Sequence, residues 1–137
     1  MKPYFNILLA LVMTLWSVGS YAFSAPEFNE EAFKTAQATD KVILVDVFAS
    51  WCPTCKAQGK DLENILKDSK FSGVVTFKVD FDNKDVVKAL ERLAEKKIPR
   101  QSTILFFKGK ELIAFSVSER DAKLRAHLEK AVEATKK

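Results

Sequence analysis

The chain has 137 residues and a formal net charge of +4, with 22 lysines and arginines against 18 aspartates and glutamates. This length suits one compact domain with its own core. Basic residues stand beside acidic ones along the chain, as in Lys60-Asp61 and Glu119-Arg120. Mixed charge of this kind is typical of a solvated surface, so we expect no nucleic-acid partner.

Residues 1–22 have the pattern of a secretory signal peptide. Lys2 gives a positive start, an apolar run extends from Ile7 to Val18, and Ser20 and Ala22 place small residues before a cut after Ala22. The alternative is a retained membrane anchor, but the apolar run is shorter than the about 20 residues that a spanning helix needs. We therefore expect a signal peptide at residues 1–22, a domain at residues 23–137, and export to the periplasm.

The first half of the predicted domain contains a helix, a strand and a second helix. Asn29 is a predicted N-cap, with Phe28 and Phe33 spaced as a hydrophobic staple over the first helix. The apolar, β-branched run from Val42 to Phe48 predicts a central strand covered on both sides. A short turn leads from this strand into a helix that we expect to end near Lys67.

The second half predicts three more strands and two more helices. The expected elements are a strand at Val74–Val79, an amphipathic helix at Asn83–Lys96, and a hairpin of strands at Thr103–Phe107 and Leu112–Phe115. Ser118 and Asp121 resemble a capping box for the last helix.

The predicted order is α-β-α-β-α-β-β-α. A strand–helix–strand crossover should be parallel and right-handed, and the hairpin should be antiparallel. The sequence therefore predicts an α/β fold, with a central mixed sheet of about four strands and helices on both faces.

Both cysteines of the chain, Cys52 and Cys55, lie where the central strand gives way to a helix. At positions i and i+3 of a first helical turn, their Cα atoms should be about 5 Å apart, which a disulfide tolerates. The helix N-terminus stabilises a thiolate at Cys52, which can attack a substrate disulfide, and Cys55 can then resolve the mixed disulfide. Trp51 should cover one side of this pair, and Pro53 suits the first turn.

An inert structural disulfide is the alternative for these two cysteines. The loop that such a bridge closes is very short, so it would stabilise the fold little. The strand–turn–helix context therefore favours redox chemistry over a structural bridge.

Asp46 is a carboxylate inside an otherwise apolar strand, where burial is costly unless the group is neutral, paired or used. It shares a strand face with Leu44 and Phe48 and should lie beneath the cysteines. Lys78, on the neighbouring strand, could reach it. Burial disfavours the charged form of a carboxylate, so Asp46 can accept the proton of Cys55 as the intermediate is resolved. The alternative is an edge-exposed or merely hydrogen-bonded aspartate.

Three segments together resemble the thioredoxin family in one register over nearly all of residues 23–137. The resemblance implies the thioredoxin-like fold, with Cys52 as nucleophile, Cys55 as resolving thiol, Asp46 as proton acceptor and Lys78 as its partner. The matching positions are Ile43-Leu44-Val45-Asp46, Ala49, Trp51-Cys52 and Cys55-Lys56, then Phe77-Lys78-Val79-Asp80, then Thr103-Ile104-Leu105-Phe106-Phe107-Lys108 and Glu111.

The chain departs from the family pattern around the cysteines. Pro53-Thr54 replaces the family's Gly-Pro, which leaves the redox potential open. Ser102 stands where the family has a cis-proline before Thr103, with Pro99 three residues earlier as the other candidate. Ser118 replaces the glycine that borders the substrate groove. We expect Trp51, Pro53, Thr54, Ser102, Thr103 and Ser118 to contact substrate.

The leading functional hypothesis is a thiol–disulfide oxidoreductase that reduces disulfides of exported proteins. Such an enzyme needs no cofactor, and we expect a monomer that a membrane electron-transfer protein recharges. A disulfide donor or isomerase is the alternative within the same chemistry.

Metal binding is the alternative from another class. Ser102 would open the space opposite the dithiol, so Cys52 and Cys55 could hold a soft metal or share an iron–sulfur cluster across a dimer. Two thiolates from one chain are too few for a closed four-ligand zinc site.

Overall fold

The computed structural model describes residues 23–134, which contain four helices, four strands and a 3₁₀ helix. The predicted order of helices and strands is confirmed, with ends that differ by at most three residues. The 3₁₀ turn at Ser69–Phe71 was not predicted. In chain order the elements are α1 (Glu30–Ala38), β1 (Val42–Phe48), α2 (Pro53–Ile65), β2 (Val75–Asp80), α3 (Lys84–Ala94), β3 (Thr103–Lys108), β4 (Glu111–Val117) and α4 (Ala122–Glu133).

The four strands form one mixed sheet in the order β2-β1-β3-β4. β1 pairs with β2 in parallel, and β3 is antiparallel to both β1 and β4. The predicted parallel crossover, antiparallel hairpin and α/β class are therefore confirmed. In this register Asp46 is the partner of Lys78 on one side and of Ile104 on the other.

Alternating residues of β1 pack into two separate cores, as expected for a strand covered on both faces. Leu44 lies in the core under α2 and α4, while Val45 lies in the core under α1 and α3. Asp46 is two residues after Leu44 and therefore faces α2, the helix that follows the cysteines.

The segment before α1 lies along the outer side of β2. Phe28 donates its backbone N–H to the carbonyl of Lys78 at 2.9 Å, and the N–H of Lys78 donates to the carbonyl of Pro26 at 2.9 Å. Asn29 caps α1 by accepting the N–H of Ala32 at 2.9 Å. The rings of Phe28 and Phe33 have centroids 5.3 Å apart, which confirms the predicted staple.

The predicted capping box at the last helix is wrong. α4 begins at Ala122, and its N-cap, Asp121, has a φ of 48° and makes no side-chain capping bond. The hydroxyl of Ser118 lies 2.8 Å from the hydroxyl of Ser102. The side chain of Ser118 therefore contacts another loop instead of capping α4.

Within residues 23–134, none of the helices has both the length and the apolar character needed to cross a membrane. The predicted signal peptide at residues 1–22 lies outside the part of the chain that the structure describes.

Candidate active site

The two cysteines lie at the junction between β1 and α2, where they form a disulfide with their Cα atoms 5.3 Å apart. Cys52 is the N-cap of α2, and Pro53 occupies the first turn. The Sγ of Cys52 accepts the backbone N–H of Cys55 at 3.1 Å. The sulfur therefore takes the place that a serine or aspartate oxygen takes in an ordinary N-cap. The N–H and the positive end of the helix both favour an anion there.

The cysteine pair is covered by its neighbours. Cys52 is 3% exposed and Cys55 is fully buried, whereas Trp51 beside them is 59% exposed. Pro53 and Thr54 are also exposed. A protein disulfide can therefore approach Cys52 only when the chain that carries it lies against this surface.

Trp51 is fixed by Asp82, which sequence reasoning did not identify. The indole Nε1–H donates to Oδ2 of Asp82 at 2.8 Å. Asp82 follows β2, and the carboxyl ends of the parallel strands β1 and β2 meet at one edge of the sheet. The parallel pairing of these two strands was predicted from the sequence. A polar residue just after β2 could therefore have been expected near the turn that follows β1, where Trp51 lies.

Asp46 is fully buried on the side of β1 that faces α2. Lys78, its register partner, is half-buried, and its Nζ lies 5.9 Å from the ring centroid of Phe48. The structure thus places both residues in register on neighbouring strands. Proton transfer by Asp46, with Lys78 as its partner, stays a prediction.

Ser102 directly precedes β3 and is fully buried, with a φ of 61°. No peptide bond within residues 23–134 is cis. The carbonyl of Ser102 accepts the side-chain N–H of Gln58 at 3.3 Å, so Ser102 packs against α2, while Pro99 is exposed. Thr103 is buried, and its hydroxyl donates to the carbonyl of Arg100 at 2.7 Å.

Ser118 is exposed, in contrast to Ser102, and has a φ of 56°. Its backbone N–H donates to the carbonyl of Ser102 at 2.8 Å. Sequence reasoning therefore selected two serines that contact each other at the end of the sheet where β1 leads to Cys52. Their contact with substrate stays a prediction, as it does for the other four residues of that set.

Two polar residues on the inner face of α2, Gln58 and Asp61, were missed by sequence reasoning. Asp61 accepts hydrogen bonds from the guanidinium of Arg120 and from the N–H of Asp121, the latter at 3.1 Å. The guanidinium of Arg120 is the main cause that holds the pKa of Asp61 below its usual value. Both residues follow Cys55 at helical spacing, as does buried Leu62. Helical periodicity could therefore have identified them.

The described residues include no group of three or more histidine, cysteine, aspartate or glutamate side chains that could hold a metal ion. The hydroxyl of Ser102 lies against that of Ser118. Metal binding by Cys52 and Cys55 across a dimer stays a prediction.

Comparison with known proteins gives consistent matches. The sequence model of the thioredoxin family matches residues 24–130. Thioredoxin H3 of Arabidopsis thaliana is 32% identical over 100 residues, which cover 73% of this chain and 79% of that protein. Thioredoxin-1 of Schizosaccharomyces pombe is 31% identical over 100 residues, covering 73% and 90%.

Among solved structures, Trxlp from Edwardsiella tarda EIB202 is similar, with a TM-score of 0.68 and 30% identity over 77% of this chain and 98% of that one. Thioredoxin of Malassezia sympodialis has a TM-score of 0.62 and 28% identity, covering 74% and 87%.

Proposed function

We propose that this chain, which belongs to the thioredoxin family and is a thiol–disulfide oxidoreductase, reduces the disulfides of exported proteins through Cys52 and Cys55. The observation that carries the proposal is the position of Cys52 at the N-cap of α2, with the N–H of Cys55 donated to its sulfur. That arrangement favours the thiolate at Cys52, which is the form that attacks a disulfide.

The reaction takes two exchange steps. The thiolate of Cys52 attacks one sulfur of the substrate disulfide, forms a mixed disulfide and releases the other sulfur as a thiolate, which takes up a proton. Cys55 then gives its proton to Asp46 and attacks the Sγ of Cys52. This attack releases the second substrate sulfur as a thiolate, which also takes up a proton. The substrate gains two electrons and two protons, and the protein is left with the disulfide between Cys52 and Cys55.

The reducing direction is supported by three residues around the dithiol. Trp51, Asp46 and Lys78 occupy positions that resemble those of reductive thioredoxins. Trp51 directly precedes Cys52, Asp46 is buried in β1, and Lys78 is its register partner in β2. A donor dithiol must then reduce the disulfide between Cys52 and Cys55. A membrane electron-transfer protein is the partner that we propose for this step.

The redox potential tests the reducing direction. We expect a potential closer to the about −270 mV of thioredoxin than to the about −120 mV of a strong periplasmic oxidase. Equilibration of the protein with glutathione redox buffers, followed by alkylation and mass analysis, measures this value. A potential near that of the oxidase contradicts the reductase proposal and favours the disulfide donor. Cys55→Ala, which cannot form the internal disulfide, is the control for the assay.

Export rests on the pattern of residues 1–22 and is tested separately. In a Gram-negative host we expect the protein in the periplasmic fraction, with a mass that corresponds to a chain beginning at Phe23. Leu9→Arg interrupts the apolar run and should leave uncut protein inside the cell, whereas Ser24→Arg introduces the same side chain beyond the cut and should not. A mature protein that retains residues 1–22 contradicts the proposal.

A further inference from the structure

Six polar side chains are buried within residues 23–134, and two of them, Gln58 and Asp61, lie on α2, the helix that begins after Cys52. Gln58 is hydrogen-bonded to a third residue of this set, Ser102. A buried polar group is costly unless it is hydrogen-bonded. These three residues also link α2, the helix that begins at Cys52, to loops that are distant in sequence. The cost of burying these polar groups and their contacts with distant loops together indicate a role beyond packing.

Gln58 joins α2 to two loops at once. Its side-chain Nε2 donates to the carbonyl of Ser102 at 3.3 Å and to the carbonyl of Glu119 at 2.9 Å. Two carbonyl acceptors leave only one orientation for the amide, because only its nitrogen can donate. Both hydrogens of the amide are thereby used to fix backbone, and the side chain is fully buried.

Asp61 holds the second of these loops from the next position on the inner face of α2. Its carboxylate accepts hydrogen bonds from two nitrogens of the Arg120 guanidinium and from the backbone N–H of Asp121. These charge-assisted bonds are directional, since a carboxylate and a guanidinium meet as matched planes. Gln58 and Asp61 therefore hold residues 119–121 at three successive positions.

The two loops are held in backbone conformations that they would not adopt alone. Ser102, Ser118 and Asp121 have φ values of 61°, 56° and 48°, in the left-handed region that non-glycine residues rarely occupy. Such conformations persist only where the surroundings impose them. Ser118 and Ser102 are also bonded directly, through the N–H of Ser118 at 2.8 Å and through their hydroxyls.

Both loops lie at the edge of the sheet that carries the dithiol. β1 ends there before Cys52, whereas the antiparallel strand β3 begins there after Ser102, and β4 ends there before Ser118. Because Cys52 is 3% exposed, a protein substrate must lie against the surface around it to deliver a disulfide.

We propose that Gln58 and Asp61 are positioning residues, which hold the loops at Ser102 and Ser118–Asp121 in the shape that binds a protein substrate and leave the reactivity of Cys52 unchanged. The expected substrate is a folded or partly folded protein whose chain lies across both loops. A small disulfide, in contrast, needs to reach only the sulfur of Cys52. The inference deepens the function proposed above and depends on it for the assay of insulin reduction.

Gln58→Leu tests this inference, because it keeps the volume of the side chain and removes both donors. We expect the KM for insulin to rise about tenfold, the ratio that corresponds to the loss of about 1.4 kcal/mol of binding, with kcat changed less than about twofold. The rate of exchange with 2-hydroxyethyl disulfide, which is too small to contact the loops, should stay within about twofold of the wild type.

Val87→Ala is the matched control for lost stability, because Val87 lies in α3 in the core on the other face of the sheet. It should lower the melting temperature and leave the KM for insulin unchanged. If Gln58→Leu does not fold, Asp61→Asn is measured in its place, because it keeps the size and shape of the Asp61 side chain. This variant should raise the KM for insulin about threefold. An unchanged KM in the folded variants overturns the inference, and so does a parallel change in both exchange rates.

Failure of the proposed function is a separate outcome. If the wild-type protein does not reduce insulin, the reductase proposal fails. The same variants are then compared in reverse, as oxidants of a reduced peptide dithiol and of dithiothreitol. Selective loss with the peptide supports the positioning role, and equal loss with both reagents overturns it.

Discussion

Cys55→Ala is expected to accumulate Cys52 in stable mixed disulfides with its substrates, whereas Cys52→Ala is expected to form none and to lose disulfide reduction. The chain has only two cysteines, so no other thiol can replace either of them. Loss of the nucleophile should lower the rate of insulin reduction by about 10³-fold or more. Non-reducing electrophoresis of each variant after expression, followed by mass spectrometry of the trapped partners, measures the outcome.

The asymmetry of the structure is the reason for this expectation. Cys52 is at the N-cap, keeps 3% exposure and accepts the N–H of Cys55, whereas Cys55 is fully buried. A substrate disulfide can therefore meet the sulfur of Cys52 first. Equal trapping by Cys52→Ala would mean that the two roles are reversed. Trapped proteins from the periplasm, and a trapped membrane protein, would agree with the proposed substrates and electron donor.

Asp46→Asn is expected to slow the resolving step by about 10²-fold, at the lower end of what a general base contributes. The substitution keeps the size of the side chain but removes its capacity to take a proton from Cys55. The initial attack by Cys52 does not need that proton transfer and should keep its rate. Stopped-flow fluorescence of Trp51, with a substrate disulfide in single turnover, separates the two phases.

Asp40→Asn provides a matched control for Asp46→Asn. Asp40 is exposed and precedes β1, so it lies at the opposite end of this strand from Cys52. Both phases should be unchanged in this variant. Equal slowing of attack and resolution in Asp46→Asn would contradict a role in proton transfer and would point to a general disturbance of β1.

Much of the fold was predictable because its signals are local. The apolar run of β1 and the spacing of Cys52 and Cys55 at a helix start each identify one element without reference to the rest of the chain. Asn29 and Phe28 likewise identify the start of α1 from local sequence alone. The mixed sheet then followed from the short hairpin and from the handedness of crossovers.

The parts that could not be predicted depend on contacts between distant segments. Ser118 has the local pattern of a helix cap, but its hydroxyl contacts Ser102, 16 residues away. Gln58 binds carbonyl groups 44 and 61 residues further along the chain. A local sequence pattern does not extend over such separations along the chain. A polar residue on the inner face of a helix indicates that a hydrogen-bond partner is needed but does not identify it.

The pairing of residues 26–28 with β2 also has a consequence for solubility. A strand with unpaired backbone groups at the border of a sheet can recruit strands of other molecules. Here the two backbone hydrogen bonds of Lys78 to Pro26 and Phe28 close that border from within the same chain. We therefore expect that trimming the first few residues after the expected cleavage site would leave these backbone groups of Lys78 unpaired and would promote self-association.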